Sequence, residues 1–150
     1  MKIYLYPIII FLSLNTGCRK EDATFNKFQL LNSSGVTIKI LPTTSLRDTL
    51  TLLNNESKGF DLSFNRGLGT GDNFAFFADG NPVTVIFNDS DTIVHYNDNL
   101  THMKRYYKQT SNRNFYNTAS YQKEIVDDTK HLRTVTLKYF ILNRDYLDAK

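Results

Sequence analysis

The chain has 150 residues, and 18 lysines and arginines against 15 aspartates and glutamates leave a formal net charge of +3 at pH 7. That length suits one domain and excludes two ordinary ones, and so small a charge argues against a nucleic-acid interface, which needs a strongly basic face. The chain contains eleven phenylalanines and nine tyrosines but no tryptophan, together with many β-branched residues. This composition favours strands, because such side chains fit a pleated, half-buried surface.

The chain begins with a short apolar segment that has the features of an export signal. Lys2 precedes an apolar run at 3–14, which Pro7 interrupts. A transmembrane helix needs about 20 consecutive apolar residues, whereas the apolar part of a signal peptide has about 7–15 and follows a positive charge. We expect residues 1–17 to be a signal peptide that is removed. The alternatives are an uncleaved membrane anchor and a secreted protein in which Cys18 has no role.

Cys18 and its neighbours resemble the processing site of bacterial lipoproteins. The stretch 14–18, Leu-Asn-Thr-Gly-Cys, is similar to a lipobox, with its leucine one position further from the cysteine than is usual in that family. Lys20, Glu21 and Asp22 match the lysine and two acids that follow the cysteine in surface lipoproteins of the Bacteroidetes. The resemblance covers the first 22 residues. It implies a diacylglycerol on Cys18 and a place on the outer face of the outer membrane, with the periplasmic face as the alternative.

A lipid on Cys18 is therefore the expected contact with the membrane. Two or more acyl chains hold a protein stably without a transmembrane span. Cys18 is the single cysteine, so its modification leaves no thiol for a disulfide, and the exported domain must rely on its apolar core. The expected organisation is a signal peptide at 1–17, a lipidated tether at 18–24 and one β-sandwich domain at 25–150.

Seven segments have the apolar–polar alternation or the β-branched runs that are typical of strands. They are 25–31, 36–40, 48–53, 60–64, 83–87, 92–96 and 131–142. The leucines of the third segment also suit a helical turn, and 121–126 is ambiguous. Turn residues at 32–35 predict a hairpin between the first two segments. Those at 88–91 predict the clearest hairpin of the chain, which we expect at the centre of a sheet.

The stretches between the strands are connections of two kinds. The glycine-rich residues 66–73 have the spacing of neither a dinucleotide fingerprint nor a P-loop, which indicates a surface connection. Residues 97–118 are polar, basic and tyrosine-rich, and they predict a long connection with one helical turn at 102–108. After the last strand, Asn143 resembles an N-cap and Asp145 suits the positive end of a short terminal helix.

Together these elements predict an all-β protein. The expected fold is an antiparallel β-sandwich of about seven or eight strands with a short C-terminal helical turn, because short strands separated by frequent turns are typical of sandwiches. The alternative is a small open β-barrel.

Little in the sequence indicates a metal site or catalysis. Asp89 and Asp91 supply two carboxylates, whereas calcium takes six to eight oxygens, so we interpret them as turn residues. His95, His102 and His131 lack the spacing of metal ligands, and no nucleophile motif occurs. We predict no metal, no cofactor and no enzymatic activity; a small hydrolase is the least favoured function.

The most distinctive stretch is the tyrosine-rich connection. Tyrosines interleaved with cations suit binding surfaces, because a phenol ring offers flat apolar area and one hydrogen bond. The candidate binding surface consists of Lys104, Arg105, Tyr106, Tyr107, Arg113 and Tyr116. The other interpretation is that these rings cap the sandwich and the cations solvate it. We predict a non-catalytic binding or accessory module that recognises a glycan or a protein, with a structural or assembly role in the envelope as the alternative.

Overall fold

The computed structural model of the chain describes residues 23–41, 46, 48–66, 81–128 and 132–150. The predicted signal peptide, Cys18 and the three residues Lys20, Glu21 and Asp22 lie outside these ranges, as does most of the glycine-rich connection. In the part that is described, no helix is both long and apolar enough to cross a membrane.

Nine strands make up most of the described residues. They are β1 (Ala23–Ser33), β2 (Ile38–Ile40), β3 (Leu50–Leu52), β4 (Ser57–Arg66), β5 (Val83–Phe87), β6 (Asp91–His95), β7 (Tyr106–Tyr107), β8 (Gln122–Asp128) and β9 (Leu132–Leu142). A 3-10 turn at Thr118–Ser120 precedes β8, and one helix, α1 (Asn143–Ala149), follows β9.

The described strands form two sheets that share one core. The first sheet has the order β4-β1-β9-β8 and the second the order β3-β2-β5-β6-β7. Because the buried apolar side chains of both sheets belong to one cluster, the prediction of a β-sandwich with a short C-terminal helix is confirmed. The sheets are mixed rather than purely antiparallel, since β1 runs parallel to β9 and β6 runs parallel to β7.

The core follows from the period-2 alternation of the strands. In β5, the buried residues Val83, Val85 and Phe87 alternate with half-buried neighbours. The first sheet contributes its own fully or almost fully buried side chains to the same cluster, Phe28, Leu30, Tyr139 and Ile141. Burying an apolar side chain of this size stabilises a fold by about 1.5–3 kcal/mol, so these rows hold the two sheets together.

One of the two predicted hairpins is present, and the other is wrong. β5 and β6 pair in register from Val83↔His95 to Phe87↔Asp91, and β5 lies at the centre of its sheet as expected. Asn88 and Asp89 have positive φ angles of 47° and 62°, which Asn and Asp adopt more readily than most residues. In contrast, β1 and β2 belong to different sheets, so the turn after β1 carries the chain across the core.

Buried polar groups fix this crossing. The side-chain nitrogen of Asn32 lies 2.8, 3.0 and 3.0 Å from the carbonyl oxygens of Val36, Leu52 and Leu53, and its two protons are shared among these three acceptors. The side-chain oxygen accepts from the backbone N–H of Ser34 at 3.1 Å. Gly35 then takes a φ of 88°, which favours glycine. The backbone groups at this crossing therefore obtain hydrogen bonds from the Asn32 side chain instead of from a neighbouring strand.

α1 begins at the end of the first sheet that lies opposite the start of β1. The parallel register of β1 and β9 runs without a shift from Ala23↔Leu132 to Ser33↔Leu142. At about 3.3 Å per residue, this length corresponds to roughly 33 Å. Leu142 occupies the N-cap position that we expected for Asn143, and the carboxylate of Asp145 accepts from the Leu142 N–H at 2.7 Å.

Candidate ligand-binding surface

The connection between β6 and β8 is an ordered structure on one edge of the second sheet. β7 lies within it and pairs with β6 through Val94↔Tyr106 and His95↔Tyr107. Asn114 is buried and donates to the carbonyls of Tyr96 at 2.9 Å and Tyr107 at 2.7 Å. One amide therefore joins the start of the connection to its middle, where we expected a helical turn.

An ion pair beneath the connection fixes it to α1. The Arg113 Nε donates to Asp145 Oδ1 at 2.9 Å, its Nη2 donates to Asp145 Oδ2, and the same Nη2 donates to the carbonyl of Phe140 at 2.6 Å. The two side chains are 15% and 3% exposed. A paired, hydrogen-bonded contact is what buried charges require.

Two buried tyrosines complete this polar layer. The Tyr107 hydroxyl lies 2.9 Å from Asp145 Oδ1 and 2.7 Å from Asp148 Oδ2, and it carries one proton for these two acceptors. Burial and the nearby carboxylates raise the pKa of Tyr107 far above its usual value. The Tyr139 hydroxyl donates to the carbonyl of Arg113 at 2.5 Å, and burial raises its pKa as well. Both phenols are therefore neutral structural donors.

His95 belongs to the same buried interior. It is 2% exposed, and its ring stacks on Phe115 with centroids 4.1 Å apart. The His95 Nδ1 accepts from the Phe115 N–H at 3.1 Å, which assigns the ring proton to Nε2. Burial, together with the charge of Arg113, lowers the pKa of His95 to about 3. The imidazole is neutral at physiological pH.

Above this layer lies a more accessible ring cluster of Tyr96, His102 and Tyr106. The His102 ring stacks on Tyr96 with centroids 3.5 Å apart and an interplanar angle of 3°, and it meets Tyr106 edge-on at 5.2 Å. Asp98 Oδ1 lies 2.8 Å from His102 Nε2 and accepts from the Leu100 N–H at 2.9 Å. These hydrogen bonds lower the pKa of Asp98. The carboxylate therefore fixes the plane of the imidazole.

A shallow polar groove adjoins the ring cluster. It has a volume of about 330 Å³ and is lined by Gln109, Thr110, Tyr116, Asn117 and Thr118. The two features share hydrogen bonds, because the Gln109 N–H donates to the Asp98 carbonyl at 2.8 Å and the Thr110 N–H donates to Asn99 Oδ1 at 3.1 Å. We call the ring cluster and the groove together the tyrosine-rich surface.

The six side chains predicted as a binding surface separate into two groups. Lys104 and Arg105 are exposed, Tyr106 is half-buried in the ring cluster, and Tyr116 lines the groove. Tyr107 and Arg113 point inward and hold α1 through Asp145, so they support the surface without being on it. The sequence reasoning missed Tyr96, Asp98 and His102. Asp98 lies two positions after Tyr96 and His102 four positions after Asp98, and this close spacing was the signal in the sequence that the three could meet.

Asp89 and Asp91 each have a polar side-chain partner close by in the structure. Asp89 Oδ1 pairs with Lys39 Nζ at 2.6 Å, and Asp91 Oδ2 accepts from the Ser90 hydroxyl at 3.3 Å. Among the described residues, no group of three or more His, Cys, Asp or Glu side chains is placed to hold a metal ion.

Chemically, the tyrosine-rich surface offers ring faces of fixed orientation beside amide and hydroxyl groups. Exposed Leu100 and Met103 add apolar area next to Lys104 and Arg105. Such a combination can stack on flat ligands, hydrogen-bond polar ones and attract acidic groups. Comparisons of the chain with protein-family models, with curated proteins and with solved structures gave no match.

Proposed function

We propose that the protein is a lipid-anchored lipoprotein of the bacterial outer membrane whose β-sandwich binds a glycan or a protein through the tyrosine-rich surface, without catalysis. The observation that carries the proposal is the ring cluster of Tyr96, His102 and Tyr106, held in place by Asp98 and lying beside a polar groove. Rigid aromatic side chains supply binding area at a low cost in conformational entropy.

The layer beneath the surface supports this proposal. Tyr107 and Arg113 connect the tyrosine-rich connection to α1 through Asp145, a residue that is almost fully buried. Binding loses less free energy when the residues that bind are already ordered. A connection with its own buried ion pair and buried amide is ordered before any ligand arrives.

The position of the anchor supports the proposal in a second way. β1 begins at Ala23, inside the predicted tether at 18–24, and α1 begins at the opposite end of the first sheet. The guanidinium of Arg105 donates to the Asp148 carbonyl of α1 at 3.4 Å. A chain held at Cys18 would therefore present α1 and the adjoining Lys104 and Arg105 away from the membrane.

The chemistry of the groove favours polar ligands. Gln109, Thr110 and Thr118 bring amide and hydroxyl groups to its wall, and Tyr116 contributes a ring. Saccharides and exposed protein loops both present hydroxyl, amide and carbonyl groups to such a wall. Lys104 and Arg105 would add affinity for acidic sugars or acidic peptide segments, since exposed cations steer oppositely charged partners.

The proposal is tested by removing two rings of the tyrosine-rich surface that are only half-buried. We expect Tyr106→Ala and Tyr116→Ala each to weaken binding about tenfold or more, because truncation of an aromatic anchor commonly costs more than 1 kcal/mol. Glycan binding is measured on arrays of bacterial and host polysaccharides. Protein binding is measured on living cells by crosslinking through a reactive residue placed at position 104. Leu53→Ala, which truncates a residue that is 61% exposed just after β3, is the matched control. Unchanged binding by both tyrosine variants would exclude this surface.

A further inference from the structure

A depression on the outer face of the first sheet has features that the fold itself does not require. It has a volume of about 380 Å³ and lies over β1, β4 and β9. Its floor includes Gly59 and the backbones of Phe28 and Phe60, whose side chains pack in the core. It lies on the opposite sheet from the tyrosine-rich surface.

Gly59 is the first of these features. It lies inside β4, opposite Gln29 of β1. Its φ lies outside the left-handed region, and a Cβ built on it would meet no atom of the described chain within 4 Å. Neither backbone conformation nor packing therefore calls for glycine here, although glycine weakens a strand. Glycine inside a strand often marks a place that a ligand approaches closely.

The second feature is a set of polar side chains around this glycine. Lys27 and Asp61 are exposed and stand directly opposite each other in the pairing of β1 with β4. Lys27 Nζ lies 5.7 Å from the centroid of the Phe25 ring. Gln29 reaches the Ser57 hydroxyl with its amide nitrogen at 3.4 Å. The depression therefore has a cation and a carboxylate opposite each other, and an amide two residues further along β1, beside Gly59.

Thr136 supplies the third feature. This residue lines the depression from β9 and is 8% exposed. Within the described residues, its hydroxyl group makes no hydrogen bond. Because this hydroxyl group has no partner in that part of the chain and lines an open depression, it is available to water or to a ligand. A ligand hydroxyl group in the depression would replace the water and take over its hydrogen bond.

We propose that this depression binds one residue of a neutral, hydroxyl-rich ligand, a sugar of a glycan chain. The volume lies within the range of about 300–1,000 Å³ that is usual for small-molecule sites. The opposite charges of Lys27 and Asp61 balance, which suits a neutral ligand with hydroxyl groups that both donate and accept. An extended peptide would instead pair with an edge strand in the plane of a sheet, and such pairing makes no use of the space above Gly59.

The experiment measures binding of four methyl glycosides, those of glucose, galactose, mannose and N-acetylglucosamine, by saturation-transfer NMR. The protein is the full chain, purified in detergent from cells that produce it. We expect at least one glycoside to bind and Gly59→Val to lower its affinity about tenfold or more, because the valine side chain fills the depression. Valine suits a strand, so the melting temperature of this variant should stay the same or rise.

Thr136→Val is the conservative companion, since it removes the hydroxyl group at nearly constant volume. A neutral hydrogen bond corresponds to a loss of about threefold to tenfold in affinity. Thr51→Val, at an exposed position of β3 in the other sheet, is the control and should bind like the wild type.

Three results would overturn the proposal. The first is that none of the four glycosides binds at millimolar concentrations. The second is that the bound glycoside keeps its affinity in Gly59→Val. The third is that the only ligand to bind is an alternating threonine–valine peptide whose affinity survives Gly59→Val, which would assign the region to edge pairing. A glycoside that keeps its affinity in Gly59→Val but loses it in Tyr116→Ala is bound at the tyrosine-rich surface, so the second variant distinguishes the two sites.

Discussion

At the scale of single residues, His95 couples the stability of the fold to pH. Burial, together with the charge of Arg113, lowers the pKa of its imidazole from 6.5 to about 3. In the unfolded chain the group titrates near its ordinary value, so between these two pKa values the unfolded chain binds a proton that the folded chain does not. The stabilisation is therefore complete above pH 6.5 and is lost progressively as the pH falls towards 3.

We expect this one group to lower the free energy of unfolding by up to about 1.4 kcal/mol for each pH unit below 6.5. His95→Gln keeps a side-chain acceptor for the Phe115 N–H but does not titrate. The stability difference between wild type and variant should therefore shrink as the pH falls from about 7 to about 5. Urea unfolding at both pH values measures it. A difference that does not change with pH would contradict the assignment of a buried, neutral imidazole.

Asp145 is the residue on which the support of the tyrosine-rich surface depends. Asp145→Asn leaves the guanidinium of Arg113 without its carboxylate in a site where that side chain is only 15% exposed. Removal of one partner of a buried ion pair costs about 3–5 kcal/mol. Because Arg113 keeps its bond to the Phe140 carbonyl, we expect a loss of about 3 kcal/mol in urea unfolding. Asp89→Asn, which breaks the exposed pair with Lys39, should cost less than about 1 kcal/mol.

Part of the candidate site could be predicted from the sequence. Tyr106 and Tyr116 stood out by composition alone. Adjacent residues of a strand point to opposite faces, so recognition of β7 would have shown that Tyr106 and Tyr107 cannot both lie on the surface. A strand of two residues, however, is too short to show an alternating pattern in the sequence. Asp98 and His102 meet because the loop folds back onto Tyr96, and this contact depends on backbone geometry that the sequence pattern does not encode.

At the scale of elements, the hydrogen bonds of Asn32 fix the turn in which the chain crosses from β1 in one sheet to β2 in the other. Asn32→Asp keeps the shape and the oxygen that accepts from Ser34, but a carboxylate cannot donate to the carbonyls of Val36, Leu52 and Leu53. It also places a charge in a site that is fully buried. We expect a loss of about 3 kcal/mol or more in urea unfolding, since unsatisfied buried groups cost about 1–3 kcal/mol each.

The same chemical change at Asn54 is the matched control. There the side-chain oxygen accepts from the Gly35 N–H at 3.0 Å at an exposed position, and a carboxylate keeps that acceptor. Asn54→Asp should therefore change stability by less than about 0.5 kcal/mol, as expected for exposed positions. Equal losses in the two variants would show that charge, and not the donated hydrogen bonds of Asn32, determines the effect.

A comparison of two turns shows which part of the strand arrangement a sequence pattern can predict. Residues 88–91 lie between two β-branched runs and close a hairpin, as predicted. Residues 32–35 have the same kind of composition, yet there the chain crosses between sheets, because Asn32 is buried and satisfies the backbone of distant residues. Turn composition identifies the reversal of the chain, whereas long-range hydrogen bonds decide which strands pair. The parallel pairing of β1 with β9 is of the same long-range kind.

At the scale of the whole molecule, the parallel pair of β1 and β9 gives the sandwich two distinct ends. Ala23 lies at one end of the first sheet, and Leu142, where α1 begins, lies at the other. Attachment through Cys18 would hold the first end near the membrane, and α1 begins roughly 33 Å further along the sheet. The groups beside α1, such as Arg105, would then be within reach of ligands outside the lipid headgroups.

Cys18→Ala tests the attachment itself. Without a thioether, no acyl chain can hold the protein, and one polar tether has no affinity of its own for a bilayer. We expect the variant to move from the membrane fraction to the soluble fraction, while wild-type protein stays with membranes after washing with high salt. Mass spectrometry of the wild-type N-terminus should show the fatty acids. A wild-type mature chain without them would refute the anchor.

The side of the membrane is a separate question, which a variant at Lys20, Glu21 and Asp22 tests. Replacing all three by alanine leaves Cys18 and its lipid intact, so the protein should stay in the membrane fraction. If these residues direct it to the outer face, the variant should lose its sensitivity to protease added to intact cells, whereas the wild type should be cleaved. Protection of the wild type would place it on the periplasmic face. The tyrosine-rich surface would then meet periplasmic ligands, and the polysaccharides used to test binding would have to be chosen from that compartment.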